Sequence, residues 1–290
     1  MTTRLLGSAG VLFVLVLAAC SDPASPAAQG GQGGQGNSGG SGGTGPVMGC
    51  PASPDDLISD FKTDNSIAAA DGRQGGWYVY GDTSATAMFN PPKTDPYPID
   101  TANGNTSCSG AGSLHLKATG FAQWGAALGT DFKPRVSGMP KPTYDATKYK
   151  GVAFWAKGAA EIKHVQVKFP DINQDPEAAL VAADACIYTS GSQYNCSPYV
   201  VVFGAEGAAA PLFTNYATTK IDTTWRRFEV LFADAHQDPG NPGYKTPPAD
   251  KLDVAHLTGV AIQVNANYDA AGAASANDFE IWIDDVEFIK

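Results

Sequence analysis

Phe279-Glu280-Ile281-Trp282-Ile283-Asp284-Asp285-Val286-Glu287-Phe288, the closing segment of the chain, holds two reading frames of a single strand. Phe279, Ile281 and Ile283 set one parity, whereas Val286 and Phe288 set the other. Successive side chains of a strand point to opposite faces, so the apolar set stays in the core across this switch only if one residue is extra. A β-bulge is therefore expected at Asp284-Asp285. Two adjacent carboxylates there either bind a cation, for which calcium is the match to hard oxygen ligands, or hydrogen-bond to neighbouring backbone.

The same period of two recurs upstream. Leu114, Leu116 and Ala118 alternate with His115, Lys117 and Thr119, and Val152, Phe154 and Ala156 alternate with Ala153, Trp155 and Lys157. Val165, Val167 and Phe169 alternate with Gln166 and Lys168, Phe228, Val230 and Phe232 with Glu229 and Leu231, and Val260, Ile262 and Val264 with Ala261 and Gln263. Each run reads as a half-buried strand. Gly, Pro and Asp clusters join the runs and almost no helical periodicity separates them, which predicts an all-β, antiparallel β-sandwich over residues 50–290. The one helix expected is short, with Asp175 as N-cap, Pro176 at the first helical position and Glu177 to Ala183 following. Trp155 and Trp282 fall on the parity opposite to their strands' apolar residues. They are placed outside the sandwich core, in a cleft or under a loop, and are candidate ligand contacts.

Residues 1–19 have the pattern of an export signal: Arg4, the apolar run Val11 to Leu17, then Ala18-Ala19 before Cys20. The run is short for a membrane span. Residues 20–49 are mostly Gly, Gln, Ser, Ala and Pro, a composition that buries little apolar surface and predicts a tether. As a flexible coil, the 28 residues Ser21 to Met48 span about 30 Å. Across the whole chain 19 Lys and Arg stand against 29 Asp and Glu, a net charge of −10, and loss of Arg4 with the leader makes it −11. Neither nucleic acid nor an anionic lipid surface suits such a chain.

Besides Cys20 there are four cysteines, Cys50, Cys108, Cys186 and Cys196, an even number that in an exported chain reads as two disulfides. Three pairings are possible. Cys186 and Cys196 flank the turn-like Thr189-Ser190-Gly191-Ser192 and are the favoured pair, which leaves Cys50 with Cys108. No C-x-x-C occurs and the four histidines stand alone, which argues against zinc.

Leu17-Ala18-Ala19-Cys20 resembles the bacterial lipobox, which implies cleavage before Cys20, acylation of that residue and attachment to the envelope. Ser21 in the following position favours the outer membrane under the enteric sorting rule. Leu57-Ile58-Ser59-Asp60-Phe61, Gly76-Trp77-Tyr78-Val79-Tyr80, Gln123-Trp124-Gly125, Trp225-Arg226-Arg227-Phe228 and the closing segment run in the order found in jelly-roll carbohydrate-binding modules. The chain is similar to the β-glucan-binding family 11 type and to related galactose-binding-like domains over nearly all of residues 57–290. The resemblance implies two face-to-face sheets with a glycan cleft on a concave sheet, where tyrosines stack on sugar rings. Tyr80 and Tyr244 match two of those tyrosines. Trp124 and Gln123 are expected ligand contacts beside them, although Gln123 stands where the family has an aromatic residue, and Val264 stands where it has a tyrosine. As in related modules, Asp60 would add a calcium ligand to Asp284 and Asp285.

The function expected is thus non-catalytic binding of a polysaccharide by a surface-anchored, monomeric lipoprotein. The two alternatives are an envelope or adhesion protein that uses the sandwich to bind protein, and a jelly-roll glycoside hydrolase or lyase. Hydrolysis needs two carboxylates facing each other across a cleft. The Glu280-to-Glu287 run superficially resembles the acidic run of laminarinase-type hydrolases, but its parity change splits the acidic face. No G-x-S-x-G is present in residues 50–290 to suggest a serine hydrolase.

Overall fold

A computed structural model describes residues 50–51, 53–102, 106–108, 112–175, 197–239, 251–268 and 273–290, all within the unit Thr44–Lys290. In chain order the strands are β1 (Leu57–Ser59), β2 (Trp77–Gly81), β3 (Met88–Asn90), β4 (Ile99–Asp100), β5 (Ser113–Thr119), β6 (Ala126–Asp131) and β7 (Gly151–Gly158). They continue as β8 (Val165–Phe169), β9 (Tyr199–Phe203), β10 (Arg226–Leu231), β11 (His236–Gln237), β12 (Gly259–Val264), β13 (Asn267–Tyr268), β14 (Ala274–Ser275) and β15 (Phe279–Ile289). Among the described residues the only helices are single 3₁₀ turns. The helix expected from Pro176 onward, Tyr244, Cys186, Cys196 and Cys20 all lie outside the described residues.

Two antiparallel sheets form the sandwich. One orders its strands β10-β7-β15-β5-β3, with β1 beside β15 and β4 beside β5; the other runs β11-β9-β8-β12-β6-β2. Their facing sides share one core because the strands keep the expected parity. Leu114, Leu116, Phe154, Val230, Ile281 and Ile283 from the first sheet meet Val79, Leu128, Val167, Phe203 and Ile262 from the second, all buried. Rings bridge the layers: Phe203 lies 5.6 Å from Phe228, and Phe132 lies 5.4 Å from Phe288. Trp77 is buried edge-on against Phe61 at 5.6 Å, so it belongs to the core.

The bulge is where parity placed it. Asp284 pairs with Trp155 but Glu287 with Ala153, so three β15 residues span two of β7. Asp285 takes up the extra residue at φ 46°, a left-handed conformation that Asp tolerates better than most residues. Val286 and Phe288 thereby return to the core. Cys50 and Cys108 are disulfide-bonded at a sequence separation of 58. A loop of that length contributes about 4 kcal/mol by the chain-entropy estimate. The bridge also delivers the neighbouring Ser107 to the bulge, where its amide donates to Asp284 Oδ2 at 2.8 Å and its hydroxyl to Asp285 Oδ2 at 2.7 Å.

Candidate functional site

The outward face of the six-stranded sheet is built in transverse rows. Strand register aligns Tyr80, Ala127, Gln263, Gln166 and Val202 in one row. The next row holds Tyr78, Gly129, Ala261, Lys168, Val200 and His236. Directly opposed side chains in such rows are close neighbours. The middle of the face is therefore a floor of small residues, Ala127, Gly129 and Ala261, walled by tyrosines on one side and by amide and amine groups on the other. A Cβ on Gly129 would lie 3.2 Å from Tyr80 Cε1, so the missing side chain lets the tyrosine ring lie across this strand.

Tyr78 and Tyr80 follow the alternation of β2, whose Trp77 and Val79 point into the core. Their rings are 5.8 Å apart, and Tyr80 is 5.9 Å from Trp124, which makes a ribbon of three tilted rings along one margin of the floor. Burial pushes both tyrosine hydroxyls up, and the nearby Asp131 carboxylate adds to the shift, so both remain neutral hydrogen-bonding groups. Tyr78 donates to Asp131 Oδ1 at 3.3 Å, and Lys141 reaches the same oxygen at 2.8 Å.

Trp124 is not on a strand, and its position is set by Asp82. One oxygen of that buried carboxylate accepts the amides of Gln123, Trp124 and Gly125 at 2.8, 2.9 and 2.9 Å, and the other accepts Ser84 N–H at 3.0 Å. Burial raises the Asp82 pKa, but hydrogen bonds from Ser84, Gly125 and Gln123 outweigh it and hold the group at about 2. Gly125 completes the turn at φ 111°, where a Cβ would stand 2.0 Å from the Val264 carbonyl oxygen. Tyr268, more than half exposed, donates to the Gln123 carbonyl at 2.7 Å and adds a further ring next to this turn.

On the far side of the floor Gln166 donates to Asp238 Oδ2 at 3.0 Å. Gln263, only 4% exposed, points its amide nitrogen at the Trp124 carbonyl and Asn265 Oδ1, while its Oε1 has no donor among the described residues. A buried acceptor without a partner costs free energy. Aromatic faces beside fixed polar atoms suit a pyranose, whose ring face is apolar and whose edge is hydroxylated.

No family model matches the chain, and neither does any curated protein. Solved structures do. The chain is similar to the family 11 carbohydrate-binding module from Clostridium thermocellum solved with a β-1,3-1,4-mixed-linked tetrasaccharide, at 12% identity over 81% of this chain and 94% of that one, with a TM-score of 0.41. It is also similar to a family 30 carbohydrate-binding module, at 12% identity over 74% and 88% of the two chains, with a TM-score of 0.38. An exo-β-agarase aligns over 80% of this chain but 25% of its own length, at 10% identity and a TM-score of 0.36.

Of the ligand contacts expected from sequence, Tyr80 and Trp124 come together on the six-stranded sheet. Gln123 adjoins them, with its side chain exposed and its backbone engaged. Val264 faces the core. Trp155 and Trp282 do point away from the core, but on the seven-stranded sheet, so the six expected contacts do not share one cleft. Parity distinguishes inside from outside without saying which sheet a strand joins. Trp282 stacks on His115 at 4.6 Å and donates to Asp100 Oδ2 at 2.9 Å. The Lys157 ammonium lies 5.0 Å from the Trp282 ring and 5.3 Å from that of Trp225, and His115 Nε2 is 3.0 Å from Glu280 Oε1. These groups satisfy one another and hold the sheet surface together.

The expected cation ligands are close in space but already engaged. Asp284 and Asp285 share Ser107, and Asp60 pairs with Lys62 at 3.0 Å. Burial, then the Asp285 charge, pushes Asp284 up to about 7. Among the described residues no three acidic, histidine or cysteine side chains converge as a ready-made metal site.

Sequence reasoning did not single out Asp82, Tyr78, Gln263 or Tyr268 as site residues. Tyr78 shares the parity of Tyr80, and Gln263 is a polar residue at the centre of a hydrophobic strand, so both left a local signal. The role of Asp82 depends on a turn 41 to 43 residues later and left none.

Proposed function

We propose that this chain is a surface-anchored lipoprotein whose β-sandwich binds a β-linked, glucan-type polysaccharide and leaves it intact. The observation that carries this reading is the Tyr78-Tyr80-Trp124 ribbon beside a floor of Ala127, Gly129 and Ala261, with Gln263 Oε1, which has no donor among the described residues, at its far side. A sugar ring stacks on the ribbon while its neighbour lies over the floor and donates a hydroxyl to Gln263. Cleavage is disfavoured because, among the described residues, the two carboxylates at this face are engaged, Asp131 by Lys141 and Tyr78, and Asp238 by Gln166. The lipid anchor rests on Leu17-Ala18-Ala19-Cys20 and places the domain outside the cell, at the outer membrane. Asp284, Asp285 and Asp60 offer hard oxygens that suit calcium, which would compete with Ser107 and Lys62 for them.

Affinity electrophoresis of the detergent-solubilised chain through mixed-linked β-glucan, xylan, mannan and α-glucan gels, with a reducing-sugar assay alongside, tests the reading. Retardation in β-glucan without new reducing ends is expected. New reducing ends would make the protein an enzyme, and no retardation in any gel would remove the carbohydrate reading.

A further inference from the structure

We propose that the polysaccharide held on this face carries carboxylates and that Lys168 selects them, an inference that rests on the carbohydrate reading above. Lys168 lies on the outward face of β8 because Val167 and Phe169 are in the core. Register sets it between Ala261 and Val200, two side chains that offer an ammonium nothing. It is partly buried and pairs with no carboxylate among the described residues. Among the described residues, the other cations around the floor are accounted for: Lys141 is bound to Asp131, and Arg135 is 3.9 Å from Asp175. Asp238 favours the Lys168 ammonium from a distance, but its hydrogen bond comes from Gln166. Burial outweighs that attraction and pulls the Lys168 pKa down to about 8, leaving the group mostly charged at neutral pH.

A partly buried ammonium with no counter-ion among the described residues is costly, and a group kept at such a cost beside a binding floor is poised for an anionic partner. Sugar hydroxyls would satisfy its hydrogen bonds but not its charge. A uronate carboxylate would do both. The adjoining row supplies the complement, since Gln263 Oε1 accepts a hydroxyl within the same patch. The net charge of −10 opposes polyanions in general, so a preference for carboxylates has to come from Lys168 itself and works against that background.

The test measures binding of the full chain to one β-glucan in two forms, neutral and oxidised to the uronate at C6, for wild type, Lys168→Met and Lys168→Arg. The oxidised form is expected to bind about tenfold more tightly to wild type, the range of a charge-assisted hydrogen bond. Lys168→Met should bring the ratio to about one, whatever it does to the neutral form, and Lys168→Arg should keep most of the preference. Equal or weaker binding of the oxidised polymer to wild type would overturn the inference and leave the carbohydrate reading standing. A preference that persists in Lys168→Met would overturn the role of Lys168. Binding of neither polymer would overturn both readings.

Discussion

Asp82 works through hydrogen bonds that arrive from a distant turn. Its folded pKa of about 2 lies below the unfolded value near 3.9, so the unfolded chain takes up the proton first as pH falls. The contribution is complete above about pH 4, amounts to about 2–3 kcal/mol, and is lost as pH falls through 2. Asp82→Asn should therefore lower the melting temperature at pH 7 by several degrees, with the gap to wild type narrowing as pH approaches 2. Because the same carboxylate holds the Trp124 backbone, glycan affinity should fall with it. Unchanged melting and affinity at pH 7 would refute this role. Lys168 has the opposite sign. Its folded value of about 8 lies below that of an unfolded lysine, near 10.4, so it penalises the fold in full below pH 8, and the penalty fades as pH rises to about 10.4. Lys168→Met should raise the melting temperature at pH 7, and the advantage should shrink at pH 10. A lower melting temperature at pH 7 would mean that the ammonium is compensated in the free protein.

The elements differ in how far they can be read from sequence. β5, β7, β8, β10, β12 and β15 follow directly from period two, and the bulge at Asp284-Asp285 follows from a change of parity within one strand. Both are local patterns that survive folding because burial enforces them. Pairing partners are not local, which is why Trp155 and Trp282 could be read as outward-facing but not assigned to the sheet opposite Tyr80. The Asp82 interaction with the Gln123–Gly125 turn is non-local in the same way. The bulge itself yields a test of calcium. If the cation displaces Ser107 from Asp284 and Asp285, millimolar calcium should raise the melting temperature by several degrees over that in chelator. Identical melting curves would leave the two aspartates as hydrogen-bond acceptors for the Cys108-anchored segment.

At the scale of the whole molecule, the proposed function assigns attachment to the tether and recognition to the domain. Cys20→Ala should move the protein from the membrane fraction to the soluble fraction, and labelled palmitate should enter wild type only. A variant that still sediments with membranes in the absence of detergent would contradict the anchor. The central claim is that recognition belongs to the outward face of the six-stranded sheet. It is tested most directly by calorimetric titration of the full chain with a mixed-linked β-glucan oligosaccharide, in neutral and carboxylated forms, comparing wild type, Tyr80→Ala and Trp282→Phe. Loss of one stacking ring is worth about 1 kcal/mol, so Tyr80→Ala should weaken binding several-fold while Trp282→Phe leaves it unchanged. Weakened binding in Trp282→Phe with Tyr80→Ala unaffected, or no heat of binding from wild type with either form, would contradict the account.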